Sequence, residues 1–111
     1  MPYYSFSNSI DFNVSLVDEA RARFHTGDFT AARDIALRVL AAKPRWLTAQ
    51  TVLVAALWNL GSEGEARGIV KELLVRHPGF SVDRWALGLP YRRPEDLDNL
   101  VSQLRMAGLP E

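Results

Sequence analysis

Apolar residues recur every three or four positions along most of this chain, which predicts amphipathic α-helices. One stripe consists of Ala32, Ile35, Ala36, Val39 and Leu40, and a second consists of Ala66, Ile69, Val70, Leu73 and Leu74. The segment from Arg45 to Leu60 is apolar around more of its circumference, which predicts the most buried helix. We therefore expect an all-α domain.

Glycine and serine predict where the first helices begin and end. The first helix is expected to run from Ser15 to Thr26, because serine is a favoured N-cap. Gly27 and Gly61 follow helical segments, at positions where a helix C-terminus favours a residue that accepts positive φ.

The C-terminal third contains two further predicted helices. A short one starts after Ser81 and is ended by Gly88 and Pro90. A longer one starts at Pro94, since proline is favoured in a first helical turn, and Gly108 closes it. We expect Trp85 and Leu89 to pack back on the preceding helices, with Tyr91 beside them.

Three punctuating residues recur at an offset of about 34 positions. The pairs are Gly27 and Gly61, Ala32 and Ala66, and Pro44 and Pro78. The alanines are small where two helices must approach closely, and proline cannot continue a helix. An internal repeat of two helical hairpins follows from this spacing.

The segments "GDFTAARDIALRVLAAKP" and "GSEGEARGIVKELLVRHP" resemble the tetratricopeptide repeat (TPR). The resemblance covers about residues 14–78. It implies a TPR-like right-handed superhelix of two antiparallel helix hairpins, residues 14–44 and 45–78. Residues 79–111 are then a degenerate third unit that caps the C-terminal end, and residues 1–13 are an N-terminal arm.

The same resemblance implies a concave surface, lined by the first helix of each hairpin, that holds a peptide or protein partner. The candidate groove residues are Val17, Arg21, Phe24, His25, Thr51, Ala55, Trp58 and Asn59. Aromatic residues dominate interface hot spots, so Phe24 and Trp58 are the candidate anchors. In the alternative, the C-terminal helix or the N-terminal arm of the chain itself fills this groove.

The phrase "LPYRRPEDLDNLVSQLRMAGLP" resembles the C-terminal end of long bacterial proteins. In that group a TPR region follows a class III adenylate/guanylate cyclase domain or a winged-helix DNA-binding domain. The resemblance implies that this chain is a C-terminal regulatory segment of a signalling protein, and that any cyclase residues lie outside it.

Composition excludes several kinds of site. Among 111 residues there is no cysteine, so disulfides and thiolate metal sites are absent. Thirteen basic and 13 acidic residues give a formal net charge of zero, which provides no field to concentrate nucleic acid or an anionic membrane. No apolar run reaches the ~20 residues of a transmembrane helix, and the N-terminus has no signal-peptide pattern. We expect a cytoplasmic chain.

No candidate catalytic, cofactor-binding or metal-binding residue emerges from the sequence. His25 and His77 lack a second metal ligand at helical spacing, and "GSEG" lacks the lysine of a phosphate loop. Arg92 and Arg93 are expected to form ion pairs with Glu95 or Asp96.

The leading hypothesis is a non-catalytic protein-interaction or scaffold module that binds protein or peptide. One alternative is a homodimerisation module, in which an uncapped N-terminal face exposes Leu16 and Ala20. Another is a small enzyme or nucleotide-binding unit, which no group of residues in the sequence supports.

Overall fold

A computed structural model describes residues 15–89 and 91–111 of the chain. Within these ranges residues 15–25 form helix α1. The later helices are α2 (Phe29–Ala42), α3 (Leu47–Asn59), α4 (Glu63–Arg76), α5 (Val82–Ala86) and α6 (Pro94–Met106). The described residues contain no strand, which confirms the predicted all-α class. The predicted N-terminal arm and Pro90 lie outside the described residues.

Both predicted glycines end a helix in the left-handed region. Gly27 has a φ of 88° and Gly61 a φ of 84°. The Gly27 N–H donates to the carbonyl of Phe24 at 3.1 Å, and the Gly61 N–H donates to the carbonyl of Trp58 at 3.2 Å. These are the inner hydrogen bonds of a Schellman motif.

The outer bond of the motif is also present at both turns. The Asp28 N–H donates to the carbonyl of Arg23, and the Ser62 N–H donates to the carbonyl of Leu57, each at 2.9 Å. The same helix-ending geometry therefore occurs twice at the offset that the sequence repeat predicts.

The ends of α2 and α4 repeat in the same way. The Lys43 N–H donates to the carbonyl of Val39, and the His77 N–H donates to that of Leu73, each at 2.8 Å. The backbone angles are φ −132° and ψ 77° at Lys43, and φ −130° and ψ 70° at His77. A proline follows each of these residues, which explains why neither helix continues.

The described residues divide into two compact units between Leu53 and Val54, inside α3. All residues from 51 to 57 are buried, which confirms that α3 is the most buried helix. The division into hairpins 14–44 and 45–78 and a cap 79–111 stays a prediction.

In the first unit, α1 and α2 contribute apolar faces to the core. The rings of Phe24 and Phe29 lie 5.6 Å apart between centroids, across the Gly27 turn. Leu16 and Ala20 are 9% and 1% exposed, so the expectation that they lie on an open face is wrong. They share a helical stripe with Phe24, and that stripe faces the core.

In the second unit, α5 and α6 are held together by contacts between their side chains and to the C-terminal residues. The guanidinium of Arg105 pairs with the carboxylate of Asp83, which ties α6 to α5. The Val82 N–H donates to the carbonyl of Pro110 at 2.8 Å, so the C-terminal residues return to the start of α5. The Trp85 ring lies 6.2 Å from that of Phe80, and Trp85 and Leu89 are both half-buried.

Candidate interaction surfaces

The predicted groove residues of α1 fall into a buried and a half-buried pair. Val17 and Phe24 are 4% and 2% exposed. Arg21 and His25 are half-buried. A guanidinium nitrogen of Arg21 lies 2.6 Å from the carboxylate of Asp18, and the His25 ring packs edge-on against Phe24. Of the four predicted groove residues in this helix, Arg21 and His25 alone retain surface that a partner could contact.

Two predicted groove residues of α3 are fully buried. Thr51 donates its hydroxyl to the carbonyl of Thr48 at 2.8 Å, so its polar group is satisfied within the helix. Ala55 has no exposed surface. Like Val17 and Phe24, these two side chains belong to the core in this conformation. These four side chains therefore have almost no surface that a partner could contact in this conformation, and the partner-binding role of the predicted groove residues stays a prediction.

The end of α3 presents the remaining two predicted residues. Trp58 is half-buried, and the guanidinium carbon of Arg67 lies 5.3 Å from its ring centroid. Asn59 is exposed, and its amide donates to the carbonyl of Ala55 at 2.8 Å and to the side-chain oxygen of Gln103 at 3.1 Å. This last bond joins the end of α3 to a side chain of α6, and the alternative in which the C-terminal helix fills the predicted groove stays a prediction.

The turn between α2 and α3 contains a pocket that was not predicted from the sequence. Its volume is about 410 Å³. The described lining residues are Ala42, Lys43, Pro44, Arg45 and Trp46. The amide of Gln50, a buried side chain, donates to the carbonyl of Pro44 at 3.3 Å and holds the turn. The sequence does contain an indication of this pocket, because Pro44 and Trp46 alternate there with two basic residues.

Of the two arginines that precede α6, Arg93 forms the ion pairs that the sequence predicts. The Nε of Arg93 lies 3.2 Å from the carboxylate of Glu95 and 3.9 Å from that of Asp96. The pKa of Glu95 lies below its usual value, first because its own backbone N–H donates to the carboxylate and then because of Arg93. Arg92 is exposed and forms no ion pair with a described residue.

The described residues contain no group of three or more His, Cys, Asp and Glu side chains placed to hold a metal ion. His77, one of the two histidines, is exposed at the end of α4. Of the helices in the described ranges, none is long and apolar enough to cross a membrane.

Comparison with known proteins gives one partial similarity. A stretch of 44 residues, 40% of this chain, is 48% identical to part of the protein named "Putative adenylate cyclase 3" from Rhizobium meliloti (strain 1021). The matching stretch covers 8% of the length of that protein, so the similarity concerns a small part of it. No protein-family model matches the chain. No solved structure gives a significant match.

Proposed function

We propose that this chain is a protein-interaction segment of a larger bacterial signalling protein, built from two TPR-like hairpins that form a right-handed superhelix. The repeated turn geometry carries the proposal. Gly27 and Gly61 adopt nearly the same left-handed φ, and the hydrogen bonds around them recur pair by pair. Helical-hairpin repeats bury one face against their neighbours and leave another face for a partner.

The similarity to a small part of a much longer protein supports the signalling context. The matching stretch belongs to a protein whose name describes an adenylate cyclase, and it covers 8% of that protein. A regulatory segment that is joined to a catalytic domain would also match only a small part of the whole protein. In this proposal the segment supplies binding and no catalytic residue.

The accessible residues at the end of α3 are the best candidates for the contact surface. Trp58 keeps part of its indole at the surface, and Arg67 lies over that ring. An aromatic residue beside an arginine is a common centre of interface binding energy. The hydrogen bond between Asn59 and Gln103 adds polar groups next to this aromatic residue.

A photo-crosslinking experiment tests the surface. Benzoylphenylalanine is placed at Trp58 in the full protein, in living cells, and the adducts are identified by mass spectrometry. The matched control has the same residue at Glu72, an exposed position of α4. We expect a discrete adduct with another protein from position 58 alone. No adduct from either position, or the same adducts from both, would contradict the proposal.

The gene provides a separate test of the signalling context. A cyclase or winged-helix domain encoded upstream in the same reading frame would support the proposal. A reading frame that encodes no other domain would contradict the regulatory-segment part and leave the interaction surface to the crosslinking result.

Homodimerisation is a second candidate, favoured by one observation in the second unit. Leu87 is 86% exposed, so its side chain is accessible to an apolar contact with a second copy of the chain. Light scattering over a series of concentrations distinguishes a homodimer from a monomer that binds other proteins. A mass that doubles with concentration, and returns to the monomer value in Leu87→Ser, would support a dimer. A constant monomer mass would remove this candidate.

A further inference from the structure

The pocket at the α2–α3 turn combines an apolar wall with two cations. Trp46 is half-buried, and Pro44 beside it is exposed. Lys43 and Arg45 are exposed on either side of Pro44, and neither forms an ion pair with a described residue. None of the described lining residues is acidic.

The neighbouring sequence contains more basic than acidic residues. Residues 35–62 contain no Asp or Glu, whereas they contain Arg38, Lys43 and Arg45. The nearest preceding acid, Asp34, already pairs with Arg33 at 3.0 Å. The chain is neutral as a whole, but the sequence segment that contains the pocket residues is cationic.

Helix α3, which follows the pocket, adds to the positive electrostatic potential there. The N-terminus of a helix carries the positive end of its dipole. Helix α3 begins one residue after Trp46, and its first turn contains no acidic residue. An anionic group at this turn would therefore be attracted by both the side chains and the backbone.

The lining residues Lys43, Pro44 and Trp46 offer no free backbone N–H group to an inorganic anion. Phosphate sites use several free backbone N–H groups. Here the Lys43 N–H donates to Val39 and the Trp46 N–H donates to Lys43, while Pro44 has no N–H. A nucleic acid would require a longer array of cations, since its binding depends on many phosphate contacts.

We propose that this pocket binds an acidic segment of another protein, with an apolar side chain of that segment against Trp46 and Pro44. Carboxylates on either side of the apolar residue would reach Lys43 and Arg45. A volume of about 410 Å³ is enough for one large side chain and its flanking backbone. The inference goes beyond the proposed function, because it uses neither Trp58 nor Asn59.

The test uses a defined peptide and the full chain labelled with ¹⁵N. The peptide has the sequence Glu-Asp-Glu-Phe-Asp-Glu with blocked ends, and backbone chemical shifts report the site of binding. We expect shift changes at residues 42–47, which weaken with added salt because screening reduces the attraction. One control peptide has Gln and Asn in place of the acids, and another has Ala in place of Phe.

Paired variants separate the pocket from general charge effects. Lys43→Glu with Arg45→Glu should weaken peptide binding by about tenfold or more, since like charges then face the acids. Lys71→Glu with Arg92→Glu makes the same change in net charge at two exposed cations elsewhere, and should change affinity by less than about twofold. Trp46→Ala should weaken binding by about tenfold, and Trp46→Phe should retain most of it.

Several results would overturn the inference. They are the absence of shift changes at residues 42–47 with millimolar peptide, equal losses in the two charge-reversal pairs, and equal binding of the peptide that lacks Phe. Matching shift changes with inorganic phosphate alone would assign the pocket to simple anions instead. Circular dichroism of each variant confirms that the helices remain. None of these results depends on crosslinking at Trp58, so the two proposals fail separately.

Discussion

Two glycines show how a single residue type ends a helix in this protein. Gly27 and Gly61 have φ values of 88° and 84°, although a Cβ at either position would meet no atom within 4 Å. The requirement for glycine is therefore conformational and not a matter of space. We expect Gly61→Ala to lower the free energy of unfolding by about 1 kcal/mol, because an L-residue is disfavoured at positive φ. Urea unfolding followed by circular dichroism measures this change.

Gly68 provides the matched control for this prediction. It lies within α4, where a Cβ would also meet nothing within 4 Å, and its backbone is helical. Gly68→Ala should raise the free energy of unfolding by up to about 1 kcal/mol, since alanine loses less backbone entropy in a helix. A loss of stability in both variants would show that positive φ is not what distinguishes Gly61.

The carboxyl of Glu95 provides a second prediction at the scale of one residue. Its pKa is lowered first by its own backbone N–H and then by Arg93. Arg93→Gln should therefore raise this pKa only part of the way to its usual value. A titration followed by carboxyl chemical shifts in NMR spectra measures it, and a return all the way would mean that Arg93 alone is responsible.

The direction of the pH dependence follows from the same shift. A carboxyl whose pKa is lower in the folded state stabilises the fold above its unfolded pKa. That contribution is lost as the pH falls through the folded pKa. Glu95→Gln should consequently flatten the acid side of the stability profile slightly, because this group is exposed.

At the scale of helices, α6 is part of the core and not an appended tail. Leu104 has no exposed surface, whereas Met106 in the same helix is 51% exposed. We expect Leu104→Ala to lower the free energy of unfolding by about 2–5 kcal/mol, since it leaves a cavity. Thermal unfolding of the purified variant measures this loss.

Met106→Ala is the comparison within the same helix. Substitution of an exposed side chain usually changes stability by about 0.5 kcal/mol or less. Similar losses in the two variants would contradict the burial pattern of α6. A small loss in both would mean that α6 does not contribute to the core of its unit.

For the whole molecule, α3 is the helix that runs through the division between the two units. The division falls between Leu53 and Val54, and Val54 has no exposed surface. Val54→Pro should lower the free energy of unfolding by about 3 kcal/mol or more, because proline removes a helical hydrogen bond and clashes with the preceding turn. Circular dichroism melting measures the change.

Glu63→Pro is the control for proline itself. Glu63 is the first residue of α4, and Pro94 already occupies the first position of α6. Proline is tolerated there because that N–H has no partner within the helix. A loss in Glu63→Pro as large as that in Val54→Pro would show that the effect does not arise from the interior of α3.

The helices, their ends and the repeat could be predicted from the amino-acid sequence alone. Glycine, proline and capping residues act on the few residues around them, so these features follow from local chemistry. The 34-residue spacing predicted by analogy with known repeats appears in the structure as paired Schellman turns at Gly27 and Gly61. The ion pairs of Arg93 were predictable for the same reason, since their partners lie within three residues.

Which side chains remain accessible depends on how the helices pack, and the sequence did not predict it. Thr51 and Ala55 were predicted in a groove, and Leu16 was expected at the surface, but all three are buried. The bond from Asn59 to Gln103 and the pocket beside Trp46 were likewise not predicted. Helical periodicity shows which residues share a face. What covers that face depends on residues distant in sequence, and a local pattern contains no information about them.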